Sequence, residues 1–109
     1  MLKLLYYPED MKKSGISKVG GLYLLQQLIK DGDLRFSELS KGYVFMSIPT
    51  LAKRLREFQK YGLVERKVKN IPGERLEIHY SITEYGKQVV QQIEEFLKTI
   101  KEAASKFRE

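Results

Sequence analysis

SIPTLAKRLREFQKYGLVER, residues 47–66, is the stretch on which the fold turns. Ser47 suits a helix N-cap, because its hydroxyl can accept from the free backbone N–H groups of the first turn. Pro49 falls inside that first turn, where its missing N–H costs nothing. Ile48, Leu51, Leu55 and Phe58 recur at three- and four-residue spacing, which predicts an apolar stripe along a helix over 48–61. At about 100° per residue, Pro49, Lys53, Arg56, Glu57 and Lys60 point the opposite way, with Thr50 and Arg54 on the flanks. Gly62 fits the position just past the helix end, with Leu63 able to close onto Phe58.

Working downstream, residues 63–69 and 76–82 read as two strands. The second alternates, with Leu76, Ile78, Tyr80 and Ile82 on one face and Glu77, His79 and Ser81 on the other. Asn70-Ile71-Pro72-Gly73 is the turn between them, so the pair predicts a hairpin with Lys67, Lys69 and Arg75 at its tip. His79 is expected on the outward, exposed face. A long last helix begins at Thr83 or Glu84 and runs to about Phe107. Its apolar residues Val89, Ile93, Phe96 (or Leu97), Ile100, Ala104 and Phe107 repeat at near-heptad spacing. A helix of about 24 residues spans roughly 36 Å, longer than a small domain is wide, so part of this stripe should overhang. A second subunit is the economical cover.

Upstream, Val19, Leu22, Leu25, Leu28 and Ile29 predict a helix over 17–30, ended by Asp31-Gly32-Asp33. Gly20-Gly21 is tolerable there near a helix start, or where two backbones approach closely. A short helix over 36–42 turns Phe36 and Leu39 inward. The loop 43–46 (Tyr43, Val44, Phe45, Met46) is apolar enough to be partly buried. Residues 1–15 read as an arm whose Leu2, Leu4, Leu5, Tyr6 and Tyr7 must cover either their own core or a partner subunit. Ser14-Gly15 separates the arm from the helix over 17–30.

The chain has 109 residues, 42% of them hydrophobic, which fits one domain with its own core. It contains no cysteine and one histidine. Disulfides, thiolate catalysis and cysteine metal sites are thereby excluded, and His-rich metal sites or Ser-His relays are disfavoured. The acidic pairs Glu9-Asp10, Asp31/Asp33 and Glu94-Glu95 do not make general acid/base couples, since neighbours on a helix do not face each other. We therefore expect no catalytic residues, no metal and no cofactor. No run of eighteen apolar residues is present, and Met1–Tyr7 is too short and too soon interrupted for a signal peptide, so a cytoplasmic location is expected. The formal charge of +6 is uneven. Residues 53–75 carry eight basic and three acidic side chains, residues 1–52 seven and five, and residues 76–109 five and six. A concentrated basic stretch attracts phosphates, though a merely solvated helix face has the same composition.

Helix, short helix, capped amphipathic helix, basic hairpin, long helix is the element order of a winged helix-turn-helix: mainly α with a β-hairpin. LRFSEL at 34–39, SIPTLAKRLREFQKYGLVER at 47–66 and IPGERLEIHYSITEYGK at 71–87 together resemble the HxlR-type winged-helix transcription regulators. They are similar, more loosely, to MarR- and PadR-type regulators. The resemblance covers roughly residues 19–90 and implies a dimeric DNA-binding regulator joined through its N- and C-terminal segments. In that family a cysteine near the N-terminus and a Gly-Gly-Lys-Trp segment are usual. Here Gly20-Gly21-Leu22-Tyr23 stands instead and no cysteine exists, so thiol-based sensing is out of reach and any small-molecule effector is unassigned. We expect one domain over 1–109: an arm (1–15), a winged-helix core (17–82) and a dimerisation helix (83–107).

The expected double-stranded DNA contacts are Ser47, Pro49, Thr50, Lys53, Arg54, Arg56 and Lys60 on the third helix and Lys67, Lys69, Asn70 and Arg75 on the wing. Early residues of such a helix enter the major groove deepest, so Thr50, Lys53 and Arg54 are the base-reading candidates. The expected homodimer contacts are Leu4, Leu5, Tyr6, Val89, Ile93, Phe96, Leu97, Ile100 and Phe107. The other reading the sequence permits is a winged-helix architectural or protein-interaction module without sequence-specific reading.

Overall fold

The central helix forms as its sequence requires, and the other elements assemble around its apolar stripe. The computed structural model describes residues 9–18, 20–42, 46–73 and 75–107. Leu4, Leu5 and Tyr6 of the expected arm, and loop residues Tyr43 to Phe45, lie outside the described residues. In chain order the elements are α1 (Glu9–Lys13), α2 (Gly21–Asp31), β1 (Leu34–Arg35), α3 (Phe36–Gly42), α4 (Ile48–Lys60), β2 (Val64–Asn70), β3 (Leu76–Ile82) and α5 (Glu84–Phe107). The strands form one antiparallel sheet in the order β1-β3-β2. This is a winged helix-turn-helix with a long C-terminal helix.

The ends of α4 show why it sits still. Ser47 Oγ accepts from the Thr50 N–H at 3.3 Å, and Pro49 occupies the first turn. At the other end Gly62 takes φ +72°. Its N–H reaches the Gln59 carbonyl at 3.1 Å, and the Leu63 N–H reaches that of Phe58 at 2.9 Å. These two bonds are the Schellman closure, which uses carbonyls the helix cannot satisfy itself. Leu51, Leu55 and Phe58 are buried, together with Leu24, Leu25 and Leu28 of α2, Leu39 of α3, Leu63, Val64 and Val90 of α5. Burying one such aliphatic or aromatic side chain contributes about 1.5–3 kcal/mol.

Several expectations need correction. Residues 1–15 are not simply an arm, because Glu9–Lys13 is a helical turn. The first long helix starts at Gly21 rather than at residue 17. Gly20 has φ +82°, and the Gly15 carbonyl oxygen lies 2.4 Å from where a Cβ on Gly21 would sit. The glycine pair thus both starts the helix and admits a passing backbone. In α2 the buried positions include Leu24, while Ile29 is exposed; in α4, Ile48 is exposed as well. The two-residue strand β1 is too short to show any alternation in sequence. Gly32 ends α2 at φ 79°, ψ −149°, a region almost confined to glycine but not the left-handed helical one.

The wing departs most from its sequence reading. Val64 and Ile82 pair across the ladder at its root, one buried and the other packed on the core. Further out the same face carries Val68, Ile78 and Leu76, and these are exposed, Leu76 by 61%. β1 pairs only with Tyr80 and His79, so among the described residues no strand covers the apolar face of the outer half of the hairpin. His79, expected on an exposed face, has a side chain only 14% exposed, because Arg35 of β1 lies opposite it in register. Ser81, on the same face, is buried.

Candidate nucleic-acid interface

Helical spacing sorts the α4 side chains into two groups. Pro49, Lys53, Arg56 and Lys60 are exposed, and the three cations make no ion pair among the described residues. Ser47 is exposed too, but its hydroxyl is engaged. It accepts from the Thr50 backbone and donates to Thr50 Oγ1 at 2.9 Å. Ile48, 61% exposed, adds an apolar surface at the same end of the helix. Sequence reading placed Ile48 in the core stripe because three-residue spacing counts it there; its position in the first turn lifts it clear.

Arg54 belongs to the second group. Its side chain is 12% exposed and its Nη1 donates to Glu57 Oε1 at 2.9 Å. Lys18 Nζ donates to the other oxygen, Oε2, at 3.0 Å. Burial pushes the Glu57 carboxyl up, but the hydrogen bonds from Lys18 and Arg54 outweigh it and hold the carboxyl below its ordinary value. Gly15 packs directly on this pair: a Cβ there would lie 2.6 Å from Glu57 Oε1. So Arg54 braces the segment 14–18 against α4 and lies behind the exposed face.

On the wing, Lys67, Lys69, Asn70 and Arg75 are all exposed. Lys67 and Lys69 reach Asp33 Oδ2 only at 3.9 and 3.8 Å, which is loose. Behind them, Arg35 links Glu38 at 3.5 Å and Glu77 at 3.4 Å, and His79 Nε2 meets Glu77 Oε1 at 3.0 Å. The His79 contact, with help from Arg35, holds the Glu77 carboxyl below its usual range. This cluster ties the middle of the wing to α3 through β1. Among the described residues no group of three or more His, Cys, Asp or Glu side chains could hold a metal. Among the described residues no helix is long and apolar enough to cross a membrane.

A capped helix with a basic outer face, followed at once by a basic two-stranded wing, is an arrangement for a polyanion. The sequence profile of the HxlR-like helix-turn-helix proteins matches residues 16–107. The chain belongs to the HxlR-like helix-turn-helix family. An HTH-type transcriptional regulator of Methanothermobacter thermautotrophicus is 34% identical over 77 residues, covering 69% of this chain and 57% of that protein. The HTH-type transcriptional regulator YodB of Bacillus subtilis is 33% identical over 63 residues, covering 58% of this chain and 54% of YodB. The chain thus spans somewhat over half the length of the curated relatives it matches. Among solved structures, a transcriptional regulator of the MarR family from Enterococcus faecalis superposes with a TM-score of 0.75 at 25% identity, covering 89% of this chain and 84% of its own. The HxlR-like family is one of transcription regulators, not of enzymes.

Proposed function

We propose that this HxlR-like protein binds double-stranded DNA as a homodimer and regulates transcription. In this reading α4 enters the major groove and the wing lies along the backbone or minor groove. The carrying observation is the exposed row Lys53, Arg56 and Lys60, without an ion pair among the described residues, on a helix capped at both ends. A major groove is about 12 Å wide and admits one helix, and Lys or Arg can donate to guanine O6 and N7. Lys53 and Arg56 are the base-reading side chains, with Pro49 and Thr50 at the leading end; Arg54 serves to position. Lys60, Lys67, Lys69, Asn70 and Arg75 supply phosphate contacts, which fix register and carry no sequence information.

The dimer reading rests on α5. Only Gly86 and Val90 of its 24 residues are buried. Val89 is packed on the core and Ile93 is half-buried, after which the helix leaves the body. Phe96, Leu97, Ile100 and Phe107 are exposed, Phe107 by 83%. Apolar side chains repeated along a free helix are what a second copy would cover. With a DNA partner the protein works in the cytoplasm. No effector is assigned, and with no cysteine in these 109 residues a thiol sensor is excluded.

The deciding experiment is a titration of the protein with its selected duplex against random duplex of equal length. Preference for the selected duplex by a thousandfold or so supports sequence reading. Equal affinities would instead mark an architectural protein.

A further inference from the structure

We propose that the cleft between α1 and α4 seats a backbone phosphate of the bound duplex, which makes Lys12 a DNA contact. This rests on the reading of α4 as the groove-facing helix. The cleft has a volume of about 390 Å³, and every side chain lining it is charged. Lys12 and Lys13 line it from α1, Lys53 and Lys60 from α4, with Lys18 from the connecting turn. Its two carboxylates are already partnered. Glu9 bonds Lys13 at 3.0 Å, and Glu57 bonds Lys18 and Arg54 at 3.0 and 2.9 Å. Lys12, Lys53 and Lys60 are left without a carboxylate among the described residues. The uncompensated ammonium groups of Lys12 and Lys60 at one open cleft, beside the Lys53 side chain that reaches on toward the bases, suit a phosphate of the same duplex.

The position of Lys12 is built by the fold. Tyr61, just past α4, donates its hydroxyl to Asp10 Oδ1 at 3.2 Å, and the Ser14 N–H returns to the Asp10 carbonyl at 2.9 Å. Gly15 then lies flat on the Arg54–Glu57 pair. The short helix is therefore held against the C-terminal half of α4. Lys53 and Lys60 also belong to the outward face of α4, so the cleft opens where that face ends. A strand whose groove holds α4 passes its phosphates along this edge, which is why the source is the duplex and not a free anion.

The test uses the full chain carrying Lys12→Ala or Lys12→Glu, titrated with the selected and the random duplex between about 50 and 200 mM salt. We expect the slope of log affinity against log salt to become shallower by about one for each subunit engaged. Lys12→Glu should weaken both duplexes by about tenfold or more, in the same proportion, because a phosphate looks alike in every sequence. The melting temperature should stay unchanged, since Lys12 is exposed and makes no side-chain bond among the described residues. If the variants bind like the parent protein while the parent binds duplex, this inference fails and the α4 reading stands. If the parent binds no duplex at all, the α4 reading fails and takes this one with it. Saturable, Lys12-dependent binding of inorganic pyrophosphate with duplex affinity unaffected would overturn the assignment to DNA.

Discussion

Glu57 is where a single side chain supports the most. It is half-buried between Arg54 and Lys18, and removing its charge strands Arg54, whose Nε already lacks a partner among the described residues. Glu57→Gln should destabilise the fold by about 1–3 kcal/mol, read from the denaturant midpoint at neutral pH. The pH dependence has a definite sign. The folded carboxyl titrates below its ordinary value of 4.5, so its stabilisation is whole above that pH and is lost as pH falls through the lowered value. Glu57→Gln should flatten this part of the acid limb. The cations differ among themselves. Lys53→Ala should cost about 1–3 kcal/mol on the selected duplex and relax its sequence preference. Lys69→Ala should weaken all duplexes alike and shallow the salt slope by about one. A mutant-by-duplex binding matrix checks both, and proportional losses for Lys53 and Lys69 variants across every duplex would reject base reading by α4. The residue scale is also where sequence reading fell short. Arg54 and Lys53 are adjacent basic residues on one helix, and periodicity puts Arg54 on a flank without saying that Glu57 and Gly15 enclose it.

At the scale of elements, α4 and α5 were legible almost to the residue, because each carries strong start signals and a long stripe. The wing strands were legible in extent but not in exposure. Alternation tells which side chains share a face, and it cannot tell that the neighbouring strand stops at two residues. β1 and α1 were too short to carry a pattern at all. A tight contact lies where α5 begins. Thr83 Oγ1 donates to the Gly62 carbonyl at 2.6 Å and accepts from the Gly86 N–H at 3.0 Å. A Cβ on Gly86 would come within 2.3 Å of the Leu63 carbonyl oxygen and 2.6 Å of Ile82 Cγ1. Gly86→Ala should therefore lower stability by about 1–3 kcal/mol, although alanine is the better helix former. A thermal melt with an unchanged midpoint would show that the backbone yields there.

For the whole molecule, the principal extents of 63 × 33 × 26 Å are set by α5, which outruns the body. The overhang was legible from helix length alone. Sedimentation should show a species of twice 12.8 kDa, and Phe96→Glu with Ile100→Glu should return it to 12.8 kDa, since a charge buried without a partner is strongly disfavoured. A single 12.8 kDa species in the parent protein at micromolar concentration would remove the dimer. The joint at Thr83 and Gly86 has a further consequence. It joins the end of α4 to the root of the α5 shaft through direct hydrogen bonds. In the proposed two-fold pair, a change in the angle at which the two shafts cross would be passed to the two α4 helices, the heads proposed to read the groove. Operators of this geometry repeat at about 34–36 Å, so a small twist would put the second head out of step with the groove. A molecule wedged between the shafts could then silence the protein without coming near the nucleic acid.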